Sequence, residues 1–544
     1  MAPLAVKIKH AGKVHDVQLD PDQAPTVFKD AIYRVTGVPP DRMKVMIKGG
    51  VLRDDTDWRK VAPKEGQTFM VIGAAGELPK PPSTPIVFLE DMDESELAEA
   101  LALPIGLKNL GNTCYMNATL QAMRAIPELQ TALQISAPPG VPSSLRALYA
   151  EMSRTTESVI PEAFLLTLRD AFPQFAERMS GGPKFVGRTI VDYAQQDAEE
   201  CWTQLTQSLR DVPGITGPSS SAAAKFVDQF MTVEMVREYW VARLKCDEAP
   251  EEPASVTTEK VLKLSCNITA ATNFMYQGIK DALDGKIEKT SPSLGREAVY
   301  SSKSRLSRLP AYLTVHMVRF AWRRDISKKT KIMRRVKFPT EFDVLDLVTD
   351  DLKAKLLPVS TKLKEIEKER AERGKVRKRS KVPKPAAAVK DADVEMADAG
   401  ASSSAPSAPA TEAPVQAEAG DSEDKGKGMA VELEEESVYR EREVKVLDEL
   451  VHPDFKADVG CSACGLYELV AIVTHKGAAA DAGHYMGFVK KSALQTGVSD
   501  DDEDWYKFDD DKVSIFPREK LSTIDGGGED SSAYVLLYKT RSLA

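Results

Sequence analysis

The residue best placed for covalent chemistry is Cys114, in the segment GLKNLGNTCYMNATLQAM (106–123). Asn112 and Thr113 are of types that cap helices, and the residues after Cys114 have the apolar spacing of a helix. The sequence therefore predicts that Cys114 stands at a helix N-terminus. Unpaired N–H groups and the positive end of the helix dipole stabilise a thiolate there, and they also favour an oxyanion. Both effects suit a cysteine nucleophile.

A nucleophile of this kind needs partners elsewhere in the chain. Asn109 lies five residues before Cys114 on a glycine-flanked turn, and its side-chain amide could reach the same oxyanion. Taken alone, an intracellular cysteine in a helix is more often a buried structural residue. The catalytic interpretation therefore depends on a histidine that can act as general base.

Two of the six histidines flank a run of small residues in THKGAAADAGHYMGFV (474–489). His484 opens a strand-like segment after this run, where a rigid element would hold a catalytic base. His475 is the second candidate, and the residues alone leave both open. The other histidines lie in the N-terminal segment, in an apolar strand or before a proline: His10, His15, His316 and His452.

A carboxylate could orient the imidazole and stabilise its charged form. The segment DWYKFDDDKVSIF (504–516) predicts an aromatic strand that ends in three aspartates. Asp509 and Asp510 are both candidates for this role. The competing interpretation is an acidic, solvated turn.

The first 75 residues predict a small α+β domain. Residues 4–19 alternate as two strands around Gly12, and the apolar residues of 25–36, from Val27 to Val35, have helical spacing before Gly37. Two further strands are predicted at MKVMIKGG (43–50) and QTFMVIG (67–73). Such elements pack as one sheet with a helix on one face.

The rest of the chain divides by composition. Residues 76–103 contain LPKPPSTP and an acidic run, which predict a proline-stiffened linker. Residues 375–435, by approximate limits, have almost no large apolar side chains and are expected to be disordered, because burial cannot offset the entropy of ordering them. The remainder of 104–540 is expected to form one globular domain around this insertion. Before it, 351–372 predicts a charged helix interrupted by Pro358.

Composition argues against several classes of protein. A net charge of −9 disfavours nucleic acid or membrane as a partner. The basic run 368–390 is best interpreted as a solvated, disordered segment, with nuclear import or an acidic partner as the alternatives. Six cysteines in 544 residues do not form the dense framework of small secreted domains. The start of the chain lacks an apolar signal-like run. We therefore expect a soluble protein of the cytoplasm and nucleus.

Six segments resemble, in order, the signature boxes of the ubiquitin-specific proteases, peptidase family C19. The segments are GLKNLGNTCYMNATLQ, QQDAEECW, LPAYLTVHMVRF, GHYMGFV, WYKFDDDKVS and AYVLLY. The first 75 residues resemble ubiquitin in the order of their elements and in RMKVMIKGGVLRDDTDW (42–58). The whole chain therefore resembles the proteasome-associated branch of the family.

This resemblance implies an α+β fold class. A β-grasp ubiquitin-like domain (1–75) would be followed, after the linker (76–103), by a papain-like cysteine protease domain of fingers–palm–thumb shape (104–540). The disordered insertion would interrupt the second domain. The small residues of KGAAADAG (476–483) would suit a mobile lid over a narrow channel.

The resemblance also assigns roles to single residues. It implies that Cys114 is the nucleophile, His484 the base, Asp509 the residue that orients the base and Asn109 the oxyanion donor. Contacts with the ubiquitin tail are implied for Gln196, Asp197 and Tyr485. The Asp197 carboxylate could pair there with an arginine.

The cysteines depart from the pattern of many relatives, which bind a structural zinc through two CxxC pairs. This chain has one pair, Cys461 and Cys464, while Cys246 and Cys266 are isolated. A tetrahedral zinc site would need all four to converge. We expect no metal and no cofactor.

The leading hypothesis is a thiol-dependent deubiquitinase that hydrolyses the isopeptide or peptide bond at ubiquitin's C-terminal glycine. Residues 1–75 would dock it on the 26S proteasome regulatory particle, where it would recycle ubiquitin from substrates. One alternative is a non-catalytic ubiquitin-binding adaptor, and another is a shuttle scaffold. A calmodulin-like partner for the helix at 351–372 is also considered, although a solvated helix is favoured.

Overall fold

The computed structural model describes most of the chain. The described residues are 3–48, 50–73, 93, 97, 103–178, 184–185, 188–189, 193–215, 224–241, 255–290, 295–324, 328–381, 434–479, 482–495, 497–499 and 502–543. The chain divides into two units, Met1–Met92 and Asp93–Ala544. Most of the predicted linker lies outside the described residues.

The first unit is a five-stranded sheet with a helix on one face. Its elements are β1 (Leu4–His10), β2 (Lys13–Leu19), α1 (Pro25–Thr36), β3 (Lys44–Ile47), β4 (Gly50–Val51), α2 (Trp58–Val61) and β5 (Thr68–Ile72). The strand order is β2-β1-β5-β3-β4, in which β1 and β5 are parallel and the other pairs are antiparallel. This confirms the ubiquitin-like arrangement predicted from the order of the elements.

Helix α1 shows why the first unit folds as its sequence predicts. The helix ends before Gly37, whose φ of 70° is accessible to glycine at little cost. Phe28 and Ile32 are buried in the core of the unit. Val27 and Val35 were expected on the same face but are 49% and 38% exposed, because the buried stripe is narrower than the apolar run.

In the described residues, the second unit combines helices with a ten-stranded sheet, a four-stranded sheet and a two-stranded sheet. Its elements are α3 (Cys114–Met123), α4 (Pro127–Ile135), α5 (Val141–Met152), α6 (Glu162–Ala171), β6 (Lys184–Phe185), β7 (Arg188–Thr189), α7 (Ala198–Ser208), α8 (Phe226–Phe230), β8 (Val233–Val241), β9 (Ser255–Val261), β10 (Leu264–Asn267), α9 (Met275–Leu283), β11 (Asp284–Thr290), β12 (Glu297–Arg308), β13 (Tyr312–Val318), β14 (Phe320–Arg323), β15 (Lys328–Lys331), β16 (Glu341–Asp343), α10 (Asp350–Lys381), α11 (Glu436–Leu450), α12 (Pro453–Ala457), β17 (Leu466–Ala479), β18 (Ala482–Lys490), α13 (Lys491–Leu494), β19 (Trp505–Asp509), β20 (Lys512–Phe516) and β21 (Ser532–Thr540).

The larger sheet positions the segments that carry the candidate chemistry. It has ten strands, and its main path runs β10-β13-β21-β17-β18-β19-β20. Helix α3 packs on β17, β18 and β19. Gly487 allows this close packing, since a Cβ there would lie 3.2 Å from the Ala118 carbonyl oxygen. A separate four-stranded sheet has the order β11-β12-β8-β9. Together with the first unit, this arrangement confirms the predicted α+β class.

Helix α10 differs from two expectations, one about an interruption at Pro358 and one about where the insertion begins. It runs through Pro358 without interruption, and it continues to Lys381, so residues 375–381 of the predicted insertion are helical. Burial of Leu356 and Leu363 holds the helix in place despite the missing proline N–H. The same burial covers the apolar face that a calmodulin-like partner would bind. Residues 382–433 lie outside the described residues.

In the described part of the chain, none of the helices has an apolar stretch that would span a lipid bilayer.

Candidate active site

Cys114 is the first residue of α3, as its sequence context predicts. The Thr113 carbonyl oxygen accepts the N–H groups of Met116 and Asn117, at 3.1 and 3.0 Å, which closes the first turn of the helix. The Cys114 side chain is only 3% exposed. The sulfur therefore lies at the positive end of a helix dipole in a largely desolvated position.

His484 lies between Cys114 and a carboxylate. Its Nε2 atom is 2.6 Å from Asp509 Oδ1, and the ring also hydrogen-bonds Cys114. The hydrogen bond with Cys114 and the one with Asp509 outweigh the effect of burial and raise the pKa of His484 to about 9. Burial alone would raise the pKa of Asp509, but hydrogen bonds from His484 and Lys507 lower it. Both shifts favour an imidazolium paired with a carboxylate.

Strand register decides between the two histidines that the sequence leaves open. In the β17–β18 pair, Lys476 faces His484, while His475 faces Tyr485. Neighbouring residues of a strand point to opposite sides of the sheet, so the two histidine side chains point to opposite sides. His475 is fully buried, and burial lowers its pKa to about 4. His484 alone of the two therefore lies beside Cys114.

The β19–β20 turn likewise separates the two candidate aspartates. Asp509 is the last residue of β19 and faces His484. Asp510 follows with a φ of 55°, and its carboxylate accepts hydrogen bonds from Asn109 Nδ2 at 2.9 Å and Asn117 Nδ2 at 2.8 Å. Asp509 thus hydrogen-bonds the His484 imidazole, whereas Asp510 hydrogen-bonds α3 and the segment before it.

Asn109 contributes to the turn that precedes Cys114. Its Oδ1 accepts the N–H of Gly111 at 2.9 Å and that of Thr113 at 3.3 Å. One of the two N–H bonds of its amide points to Asp510, so the other is left for a further acceptor.

Comparison with known proteins decides the family. Residues 105–538 match the family described as Ubiquitin carboxyl-terminal hydrolase. The chain belongs to this family. It is 38% identical to ubiquitin carboxyl-terminal hydrolase 6 of Schizosaccharomyces pombe over 100% of both chains. It is 36% identical to ubiquitin carboxyl-terminal hydrolase 6 of Arabidopsis thaliana over 98% of each chain, and 27% identical to ubiquitin carboxyl-terminal hydrolase 14 of Caenorhabditis elegans over 98% of this chain and 93% of the other.

The family membership confirms the resemblance seen in the six sequence boxes. The chain is a ubiquitinyl hydrolase, a thiol-dependent cysteine peptidase of the ubiquitin-specific protease family. Ubiquitin and ubiquitinated proteins are therefore its partners.

The three residues expected to contact the ubiquitin tail differ in their exposure and in their contacts. Asp197 caps α7 through the Glu199 N–H at 2.8 Å, and both of its carboxylate oxygens accept the Tyr534 hydroxyl at 2.8 Å. Gln196 is partly exposed. Tyr485 is only 1% exposed and packs edge-on against His475, so the expectation of a direct contact from its side chain does not fit this structure.

Sequence reasoning missed one residue beside the nucleophile. The Gln195 Nε2 atom lies 3.8 Å from Cys114 Sγ, as a donor to the sulfur. The sequence points to the QQD segment (195–197), but its two adjacent glutamines have the same side-chain chemistry. Only the three-dimensional structure shows which of them reaches the thiol.

The described cysteines that a zinc site would need do not form a common cluster. The thiols of Cys266, Cys461 and Cys464 contact separate backbone carbonyls, those of Met275, Phe455 and Leu466. Cys246 lies outside the described residues. Among the described residues, the one group of three metal-type ligands is His484, Asp509 and Asp510, and all three take part in the hydrogen bonds above.

Proposed function

We propose that this hydrolase removes ubiquitin from proteins through attack by Cys114, with His484 as the base and Asp509 as the residue that orients it. The observation that carries this proposal is the continuous row of hydrogen bonds from Cys114 through His484 to Asp509. Because Asp509 holds Nε2, the other ring nitrogen, Nδ1, is left to exchange a proton with the thiol.

The reaction follows from this arrangement. His484 takes the thiol proton, and the thiolate attacks the carbonyl carbon of ubiquitin's C-terminal glycine. The oxyanion forms near the N-terminus of α3, where Asn109 has an N–H to donate. The imidazolium then gives its proton to the departing amine, and water hydrolyses the thioester. The products are ubiquitin with a free carboxylate and the substrate amine.

The catalytic proposal predicts that Cys114→Ala abolishes hydrolysis of a fluorogenic ubiquitin C-terminal amide. Loss of the nucleophile should lower kcat by at least about 10⁴-fold. Cys461→Ala is the matched control, because this partly exposed thiol lies outside the row and its loss should leave the rate unchanged. Binding of ubiquitin by both variants, with no turnover even by the wild type, would instead favour the non-catalytic adaptor.

For the first unit, we propose docking on the 26S proteasome regulatory particle. Support comes from the sheet face opposite α1, which carries a row of exposed apolar side chains. Strand register places Val14, Lys9, Met70, Met46 and Val51 side by side across all five strands. The four apolar members are 40–55% exposed, as is the adjacent Ile72. We call Val14, Met46, Val51, Met70 and Ile72 the docking face.

The docking face has the properties of a protein-binding surface. Lys9 separates Val14 from the four apolar residues Met70, Met46, Val51 and Ile72, and an exposed apolar patch of this kind beside charged side chains marks an interaction site on a soluble domain. Lys7, Lys9 and Lys44 are exposed on the same side of the sheet and make its rim basic. A partner surface with an apolar centre and acidic residues around it would fit this face. Docking there would place deubiquitination beside degradation, so that ubiquitin is recycled intact.

The docking proposal predicts that Met46→Glu combined with Met70→Glu weakens co-sedimentation with purified proteasome. Placing two carboxylates in the contact should raise Kd by about 10-fold or more. Val27→Glu is the matched control, since Val27 is 49% exposed but lies on α1, on the other side of the sheet. Equal binding by all three proteins would refute docking through this face. Hydrolysis by the free enzyme should not change.

A further inference from the structure

A side-chain amide other than that of Asn109 contacts the nucleophile. Gln195 Nε2 is 3.8 Å from Cys114 Sγ, within the range of an N–H···S hydrogen bond. An amide nitrogen carries two N–H bonds, so Gln195 can contact the sulfur and still offer a donor to a neighbouring atom. The atom that becomes the oxyanion is bonded to the carbon that the sulfur attacks, and it therefore forms within reach of this amide.

The backbone around Gln195 is fixed on both sides. Before it, the Ala194 N–H donates to the Glu177 carbonyl oxygen at 2.9 Å, and Asn112 Nδ2 donates to the Tyr193 carbonyl oxygen at 2.9 Å. After it, Asp197 caps α7. The Asn112 contact ties the Gln195 segment directly to the turn that precedes Cys114. A fixed backbone limits the positions that the Gln195 amide can take, and a donor with few positions is favourable for electrostatic stabilisation of a transition state.

The oxyanion can receive only one hydrogen bond from the Asn109 side chain. One N–H of its amide points to Asp510, and its carbonyl oxygen accepts backbone N–H groups. Asn109 therefore has one N–H to offer to the oxyanion. Tetrahedral oxyanions are usually stabilised by more than one donor, so the Gln195 amide would act together with Asn109 and with the N–H groups at the start of α3.

We propose that Gln195 is a catalytic residue that donates a hydrogen bond to the oxyanion during both acylation and deacylation. This inference rests on the proposed role of Cys114. As the thiolate forms its bond to the carbonyl carbon, the π pair of the carbonyl moves onto oxygen, and the Gln195 amide donates to that oxygen. When the intermediate collapses, the pair returns to form the carbonyl and the C–N bond breaks. The amine leaves with the proton of His484.

The test compares Gln195→Ala and Gln195→Glu in the full chain, using hydrolysis of a fluorogenic ubiquitin C-terminal amide with and without purified proteasome. Loss of one oxyanion donor should lower kcat by about 100-fold, with KM changed by less than about three-fold. Gln195→Glu removes the donors at nearly constant size, so it should lose as much as alanine. Gln207→Ala is the control, since this glutamine is exposed on α7.

A second measurement separates the oxyanion role from an effect on the thiol itself. Alkylation of Cys114 by iodoacetamide, followed from pH 6 to 9, needs the thiolate but forms no oxyanion. We expect the alkylation rate of Gln195→Ala to stay within about three-fold of wild type, because only the transition state of hydrolysis uses the donor. Gln195→Glu is left out of this comparison, because a carboxylate beside the sulfur would itself disfavour the thiolate.

Three results would overturn the inference. An unchanged kcat would show that the amide is not used, a rise confined to KM would assign Gln195 to binding of the ubiquitin tail, and a parallel fall in alkylation would assign it to the thiolate. Failure of the proposed function would look different. In that case Cys114→Ala would retain turnover, or the wild type would have none under either condition, and the role of Gln195 would fall with it.

Discussion

The proposed chemistry and its pH dependence both depend on the His484 side chain. Its hydrogen bonds with Cys114 and Asp509 favour the imidazolium, and its pKa rises from 6.5 to about 9. The raised value means that the charged pair contributes fully to stability below pH 6.5, and that this contribution is lost as the pH rises through about 9. The imidazolium is also the acid that protonates the leaving amine, so activity and this part of stability should decline together.

We expect the kcat/KM profile of the wild type to fall on the alkaline side with a midpoint near pH 9. Asp509→Asn should move this midpoint to lower pH, because one of the two groups that stabilise the imidazolium has lost its charge. The alkaline midpoints of the wild type and of Asp509→Asn are both measured from hydrolysis of the ubiquitin amide between pH 6 and 10. Asp502→Asn, which changes a carboxylate paired with Lys491 away from the site, is the control. An unshifted midpoint in Asp509→Asn would contradict the assigned partner of His484.

Helices α10 and α11 form a pair held by buried charges and by an apolar base. Leu363, Ile366 and Leu447 are buried at that base. Farther along, Glu443 receives hydrogen bonds from Arg370 at 2.6 Å and from Arg373 at 2.5 Å. These charges are mostly buried, so removal of one partner leaves another group without compensation.

Glu443→Gln should lower the free energy of unfolding by about 2 kcal/mol, because two charge-assisted hydrogen bonds become neutral or are lost. Urea unfolding followed by circular dichroism measures the change. Glu365→Gln is the matched control on α10, since its pair with Lys362 is exposed and should contribute less than about 0.5 kcal/mol. A Glu443→Gln chain as stable as wild type would show that the ion pairs do not hold the helices together.

The two units of the chain have separate cores. The core of the first unit consists of residues between Val6 and Val71, and the clusters around the active site draw on residues from Ile105 onward. The active site itself lies wholly within the second unit, since Cys114, His484 and Asp509 all belong to it. The insertion enters this unit at the far end of the α10–α11 pair, where Arg377 Nη2 donates to the Glu434 carbonyl oxygen at 2.6 Å.

Because the ends of α10 and α11 are close, residues 382–433 can be replaced by a Gly/Ser linker of about 10 residues at little entropic cost. We expect the shortened chain to hydrolyse the ubiquitin amide within about two-fold of wild type, with Tm changed by no more than about 2 °C. Thermal unfolding and steady-state kinetics test this. A large loss of turnover in a chain that still folds would show that the insertion contributes to the active site.

Local sequence determined the features that depend on near neighbours. The apolar spacing after Thr113 predicted the helix that begins at Cys114, and Gly37 fixed the end of α1, since periodicity and capping act within a few residues. The six sequence boxes likewise indicated the family and, through that resemblance, the residues Cys114, His484 and Asp509.

The tertiary structure decided the features that depend on partners distant in the chain. The register of β17 and β18 separated His484 from His475, and the turn at Asp510 brought Asn109 within 2.9 Å of a carboxylate 401 residues away. Packing also buried Tyr485, and it kept α10 helical through Pro358, where the local sequence predicts an interruption. It placed Gln195, and not its neighbour, against the thiol. Which way a side chain faces, and what it meets there, is set by strand pairing and core packing, because short-range propensities contain no information about either.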